Sequence, residues 1–112
     1  MAETPSIAAY INADSQNDAN MQYRVIIRYI NEVLPGSTCF FFCDHSSPEQ
    51  VEFNRIMYLA GKRKFTHIVT SSRSNLPPNI IPLLHRTGLT LATIHDNSFI
   101  QIIRNKKEPE SF

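Results

Sequence analysis

Four short polar clusters hold the side chains best suited to chemistry: Asn12-Ala13-Asp14-Ser15, Asp44-His45-Ser46-Ser47, Ser71-Ser72-Arg73-Ser74-Asn75 and His95-Asp96-Asn97. Serine hydroxyls beside an arginine are the parts of phosphoryl transfer, in which oxygen attacks phosphorus and fixed positive charge steadies the phosphate. Histidines next to aspartates, as at His45 and His95, suit acid/base work or a metal, but their spacing matches no metal motif. A Gly-rich phosphate loop, a zinc pattern of Cys and His and a Ser-His-Asp signature are all missing from the chain. The residues therefore call for no cofactor and no metal.

Each cluster follows an apolar run, and the runs alternate with helical patterns. Ser6 to Ile11 is too short and apolar for a helix, and a polar loop from Asn12 to Asn17 follows it. Asp18 is the expected cap of a helix over Ala19 to Leu34, with Met21, Val25, Ile26, Tyr29, Ile30 and Val33 on one stripe. Pro35-Gly36 ends it in a turn. Ser37 to Cys43 reads as a strand buried on both faces, its Phe40 to Phe42 run belonging to the core and not to a base-stacking platform. Ser47-Pro48-Glu49-Gln50 has the cap, proline and glutamine of a helix start, and that helix runs to about Ala60. Gly61 and the basic Lys62, Arg63 and Lys64 close it as a solvated helix end. Phe65 to Thr70 is a third strand. Pro77-Pro78 opens a short helix reaching His85 or Arg86, distorted near Pro82 and ended by Gly88. Leu89 to Ile94 is a fourth strand and Phe99 to Ile103 a weaker fifth. His67 falls inside an apolar strand and His85 at a helix end. Together these predict one α/β domain over residues 1–103, three layers deep. Its mostly parallel sheet has four or five strands, helices flank it, and residues 104–112 form a tail. Ligands of such sheets sit at the carboxyl ends of the strands, where all four polar clusters fall.

Composition narrows the classes. The chain has 112 residues, 42% of them hydrophobic, with eleven basic and ten acidic side chains and a net charge of +1. Tight autonomous nucleic-acid binding draws on a basic excess that is absent here, which leaves weak contact at most. Cys39 and Cys43 face the same way in a strand, too far apart to bridge each other, and read as reduced thiols of an intracellular protein. No segment reads as a membrane span or a signal peptide, so the expected location is the cytoplasm.

Two of the clusters, with the strands that carry them, bring a family into view. Ala9-Tyr10-Ile11-Asn12-Ala13-Asp14-Ser15-Gln16 resembles the opening of the serine recombinases (the resolvase/invertase family), Tyr-x-Arg-x-Ser-Thr followed by a glutamine-containing loop. Asp44-His45-Ser46-Ser47 is similar to the family's Asp-x-x-Ser-Gly segment, and Lys64 to Arg73 to the strand leading into Asp-Arg-Leu-x-Arg. Gly88-Leu89-Thr90-Leu91 matches the usual return to the fourth strand. The likeness spans about residues 6 to 96 in element order and spacing, and implies a resolvase-like fold.

The departures bear on activity. Aligned on Tyr10, the family's arginine position holds Asn12 and its nucleophilic serine position holds Asp14. Aligned on Ser72-Arg73, the motif's aspartate is Ser72, its first arginine is Arg73 and its second is Leu76. A carboxylate would then stand where the scissile phosphate belongs. At ~4 Å and an effective dielectric of ~20, a unit charge pair is worth about 4 kcal/mol, so reversing its sign is prohibitive. The degenerate site is thus Tyr10, Asn12, Asp14, Ser15 and Arg73. Ser71, Ser72 and Arg73 form an anion-binding candidate, although Arg73 is expected to pair with Asp14 or Asp44 instead. The resemblance implies a non-catalytic interaction or regulatory module, self-associating or bound to a protein, linked to a DNA transaction in a phage or mobile element. Two alternatives stay open. One is a minimal recombinase or nuclease using Ser15 as a shifted nucleophile with Arg73, where the plainer role of Ser15 is to cap its loop. The other is a domain that binds nucleotides or small anions.

Overall fold

The computed structural model describes residues 5–46, 49–95 and 99–103, with His95 and the last five as backbone alone. The elements run β1 (Ser6–Asn12), α1 (Gln16–Val33), β2 (Thr38–Asp44), α2 (Val51–Gly61), β3 (His67–Thr70), the single-turn η1 (Arg73–Asn75), α3 (Ile80–Thr87), β4 (Thr90–His95) and β5 (Phe99–Ile103). They build the expected α/β domain around one sheet, in the order β2-β1-β3-β4-β5. The first four strands are parallel, and β5 returns antiparallel beside β4. The tail at 104–112, Ser47-Pro48 and Asp96-Asn97 lie outside the described residues. No helix among the described residues is long and apolar enough to cross a membrane.

Strand β1 is the middle of the core because Ile7, Ala8, Ala9, Tyr10 and Ile11 are all buried, leaving no polar face. A strand covered on both sides must read as a continuous apolar run, and this one does. Its odd residues, Ile7, Ala9 and Ile11, pack with Ile26, Tyr29 and Ile30 of α1 and with Val69, Ala92 and Ile94. Its even residues, Ala8 and Tyr10, pack with Phe53 and Ile56 of α2, Ile80 and Leu84 of α3, and Leu91. Helix α1 thus covers one face and α2 with α3 the other. A parallel strand order that leaves β1 first for β2 and then for β3 has to put its crossovers on opposite faces.

Several boundaries fall elsewhere than the sequence pattern puts them. Helix α1 starts three residues before the expected start at Ala19, with Ser15 as its cap and the Ser15 hydroxyl accepting from the Asp18 amide at 3.0 Å. A serine followed by Asp in the first turn satisfies the free amides earlier than an Asp18 cap would. Its buried stripe is Gln22, Ile26, Tyr29 and Ile30, while Met21 and Val33 are exposed. Helix α2 begins at Val51, behind Gln50 in a left-handed conformation with φ 48° and no side-chain cap of its own. It ends at Gly61, and Arg63 two residues on, not the glycine, takes the positive φ of 61°. Strand β3 starts at His67, later than Phe65. Pro82 sits third in α3, where its missing amide costs nothing, and the helix is continuous through it.

The largest correction concerns β2. Among the described strands it lies at the edge with β1 as its neighbour, and Phe40 and Phe41 are 50% and 36% exposed, so it is not buried on both faces. Hydrophobicity alone does not separate a central parallel strand from an aromatic edge.

Candidate functional site

In this strand order the chain leaves β1 toward one face and β3 toward the other, which opens a crevice between their carboxyl ends. Two of the polar clusters border it: Asn12 to Ser15 after β1, and Ser71 to Asn75 after β3. What stands between them is Gln22, from the second turn of α1. Its side-chain amide donates to the Asn12 carbonyl at 2.9 Å and to the Asp18 carboxylate at 3.2 Å. Its oxygen accepts from the Ser71 hydroxyl at 3.0 Å and from the Asn75 amide at 2.9 Å. Two donors and two acceptor sites are all a glutamine has, and all four are used. Asn75 extends the network to the Thr70 hydroxyl at 3.0 Å, and Thr70 donates to the Tyr10 carbonyl at 2.8 Å. Gln22, Asn75 and Thr70 are buried, so a missing bond here would cost the full desolvation of an amide or a hydroxyl.

A second network lies on the other face. Asp44, 5% exposed at the end of β2, accepts the Tyr10 hydroxyl at 2.6 Å and the backbone amides of Glu52 and Phe53 at 2.9 and 3.1 Å. Those two amides are free donors in the first turn of α2, so Asp44 caps that helix from a distance. Burial, and then the hydrogen bond and the charge of Asp44, push the Tyr10 hydroxyl well above the ordinary tyrosine range. Burial also raises the thiols of Cys39 and Cys43, both free and half-buried, which makes them poor nucleophiles.

The residues singled out by the recombinase resemblance do not converge on one point. Tyr10 is on the α2 face, bound to Asp44. Asn12 binds the loop after β2 through its side-chain oxygen, which accepts from the Ser46 amide at 2.8 Å. The Ser15 hydroxyl is engaged as the cap of α1, and Asp14 beside it is exposed. The Ser72 hydroxyl caps η1 and contacts the Ser74 hydroxyl at 2.9 Å. Of the set, Ser71 and the main chain of Asn12 meet at the crevice. Arg73 is half-buried and pairs with neither Asp14 nor Asp44, contrary to expectation, because the hydrogen-bonding capacity of Asp44 facing α2 is already taken. Among the described residues, the one ion pair joins Arg55 to Glu52 at 3.2 Å on the surface of α2.

The pattern of residue types did not point to Gln22. The signal was there: stepping back four residues from Ile26 on the buried stripe lands on Gln22 and passes over Met21.

Among the described side chains, His45, His67 and His85 form no shared site. His45 and His85 are exposed, and His67 Nδ1 lies 2.7 Å from the Thr66 hydroxyl. No three ligating side chains come together as a metal site among the described residues. At the opposite end of the sheet, a groove of about 510 Å³ is bordered by Arg63, Phe65, Thr66, His67, Arg86 and Gly88. Its two arginines make no ion pair with any described residue. Lys62 and Lys64 are solvated there, Lys62 also lying over the Tyr58 ring at 5.1 Å. With this geometry in hand, comparison of the chain with protein-family models, curated proteins and solved structures finds no match.

Proposed function

We propose that the chain is a non-catalytic, resolvase-like module that acts through protein contacts, in the cytoplasm, within a DNA transaction of a phage or mobile element. The observation that carries this reading is the placement of Gln22. The crevice where an α/β sheet of this order would hold its ligand is bridged by a side chain with no hydrogen-bonding capacity left over. Nucleophilic attack needs a free hydroxyl with a base and cations around the phosphate. The Ser15 hydroxyl is bonded to the Asp18 amide, and no second cation stands with Arg73 in the loop after β3. The recombinase-like order of elements over residues 6 to 96 supports the origin of the fold, and the lost arginine and serine positions support the loss of cleavage.

The test is incubation with supercoiled plasmid, followed by a search for nicks and for DNA linked to serine. Intact plasmid is the expected result. Nicking that disappears in Ser15→Ala overturns it and restores the minimal recombinase.

A second reading, binding of a nucleotide or small anion, is favoured by one observation: Arg73 is half-buried and lacks an ionic partner among the described residues. Thermal unfolding in rising phosphate or nucleotide separates the two, since a ligand of the native state raises the midpoint progressively, with the logarithm of its concentration once that exceeds Kd. The module reading expects the same response from wild type and Arg73→Ala.

A further inference from the structure

The edge of the sheet at β2 carries a row of backbone groups that no other strand among the described residues pairs. Thr38 donates to the Pro5 carbonyl at 2.9 Å and Asp44 accepts from the Ala13 amide at 3.1 Å, so the even residues of β2 face β1. Alternation then turns the N–H and C=O of Cys39, Phe41 and Cys43 away from the sheet. No described strand lies on that side. Native edges are usually blocked by lysine, proline, an inward charge or a bulge. Strand β2, Thr-Cys-Phe-Phe-Phe-Cys-Asp, has no lysine or proline, and its register with β1 is unbroken. Its one charge, Asp44, is buried at the end and committed to Tyr10 and α2.

The edge is also apolar where it is exposed. Phe40 is half exposed on the α2 face, tilted against Phe65 at 6.1 Å. Phe41 projects on the α1 face, with its ring 4.8 Å from that of Tyr23, itself 48% exposed.

We propose that β2 pairs with the β2 of a second copy, antiparallel and centred on Phe41, joining two sheets across their free edges. Three features favour a copy of this chain over another partner. The pattern Cys39-Phe40-Phe41-Phe42-Cys43 reads the same in both directions, so a two-fold axis through Phe41 superimposes like on like. In that register the outward N–H and C=O groups of Cys39, Phe41 and Cys43 all find partners, Phe41 with its own counterpart and Cys39 with Cys43. The exposed Phe40 then meets the second copy's Phe42 as a cross-strand aromatic pair on the other face. No charge is set against a like charge. This deepens the reading of the chain as an interaction module by naming its partner, and it is tested apart from DNA cleavage.

Hydrogen-bonded residues facing each other in antiparallel strands have Cα atoms about 5.5 Å apart, within the roughly 4.4–6.8 Å that a disulfide spans. Within one chain the two cysteines are four strand residues apart, about 13 Å, and cannot bridge. Cross-linking therefore reports both contact and register. The chain is treated with copper-phenanthroline, dioxygen taking up the two electrons and two protons that leave each pair of thiols, and is run on a non-reducing gel. Wild type is expected to give a covalent dimer. Cys39→Ser alone and Cys43→Ser alone are expected to give none, and a mixture of the two to give dimer again through the complementary cysteines. Light scattering without oxidant is expected to show a dimer that Phe41→Lys converts to a monomer with unchanged circular dichroism. A wild type that stays monomeric, or a covalent dimer formed by Cys39→Ser alone, overturns the pairing. Intact plasmid beside a monomeric chain would still leave the loss of cleavage standing.

Discussion

The two ends of the sheet differ in what their polar side chains are committed to. At the carboxyl end, Gln22, Asn75, Thr70 and Asp44 are buried and bonded to one another, to loops and to a helix start. At the amino end, Arg63 and Arg86 border an open groove and carry no ion pair with any described residue. Helices α2 and α3 both end there, with His85 and Arg86 in the last turn of α3, and helix carboxyl ends favour cations that stay in water. The end where a ligand would be looked for first is thus closed by the protein's own hydrogen bonds, and the end that looks ionic is a solvated rim. The presence of polar residues does not distinguish the two. Whether their donors and acceptors are already matched does.

The sharpest way to break this contrast is at Asp44. Asp44→Ala removes three hydrogen bonds at once, uncaps α2 and leaves the Tyr10 hydroxyl buried without an acceptor. Charged hydrogen bonds and a lost cap together make a cost of about 3 kcal/mol, a large share of what a small domain has. Urea unfolding reads this as a fall in midpoint at constant slope. A midpoint close to wild type would mean that water replaces the carboxylate and the carboxyl end is less closed than described.

Gln22→Ala is next, at about 2 kcal/mol, since it takes one bond from the buried Asn75 amide and removes the Gln22 partner of the Asn12 carbonyl and of the Ser71 hydroxyl. Denaturant unfolding measures it, and the same variant sharpens the comparison in a second way. With the bridge gone, a phosphate-dependent rise in melting temperature that wild type lacks would identify the crevice as a ligand site blocked by one side chain. No change in either quantity would count against Gln22 as the closure.

Tyr10 gives the pH dependence. Its hydroxyl is held above the ordinary range in the folded state, so the folded chain keeps that proton more tightly than the unfolded one. The stability this contributes is fully present below about pH 10, the value of an unfolded tyrosine, and is lost as pH rises beyond it. Tyr10→Phe is expected to cost about 1 kcal/mol at neutral pH and to flatten the alkaline fall in stability. Unfolding midpoints from pH 8 to 11 check this, and an alkaline limb as steep as in wild type would assign the titration to another group.

Much of the architecture was legible from periodicity and punctuation. Apolar runs marked β1, β3 and β4, and Gly88 ended α3 at φ 77° as a glycine there should. What escaped was long-range. The carboxylate that accepts the first-turn amides of α2 is Asp44, several residues upstream in sequence and on another element, which no local cap pattern contains. The exposure of β2 depends on strand order, which no window of residues contains. The site suffered in the same way: residue types placed Asn12, Ser71 and Asn75 at strand ends, but only packing brings Gln22 between them. Arg73 was expected to pair with a carboxylate because charge was counted without asking what already bound Asp44.

The smallest effect tests the amino end and has the opposite sign. Helix α2 closes with the Arg63 amide donating to Ala60 at 2.9 Å and the Lys64 amide donating to Leu59 at 3.1 Å. That pair of bonds needs a left-handed residue after the helix, a place glycine fills without strain, yet Arg63 fills it at φ 61°. The guanidinium gives nothing back through an ion pair, so the strain of its Cβ is uncompensated. Arg63→Gly should therefore stabilise the chain, by about 0.5–1 kcal/mol, where every truncation at the carboxyl end destabilises it. A rise in urea midpoint confirms the amino end as a rim without structural duties. A fall would mean that the Arg63 side chain is held by something in the groove, and the contrast between the two ends would have to be redrawn around it.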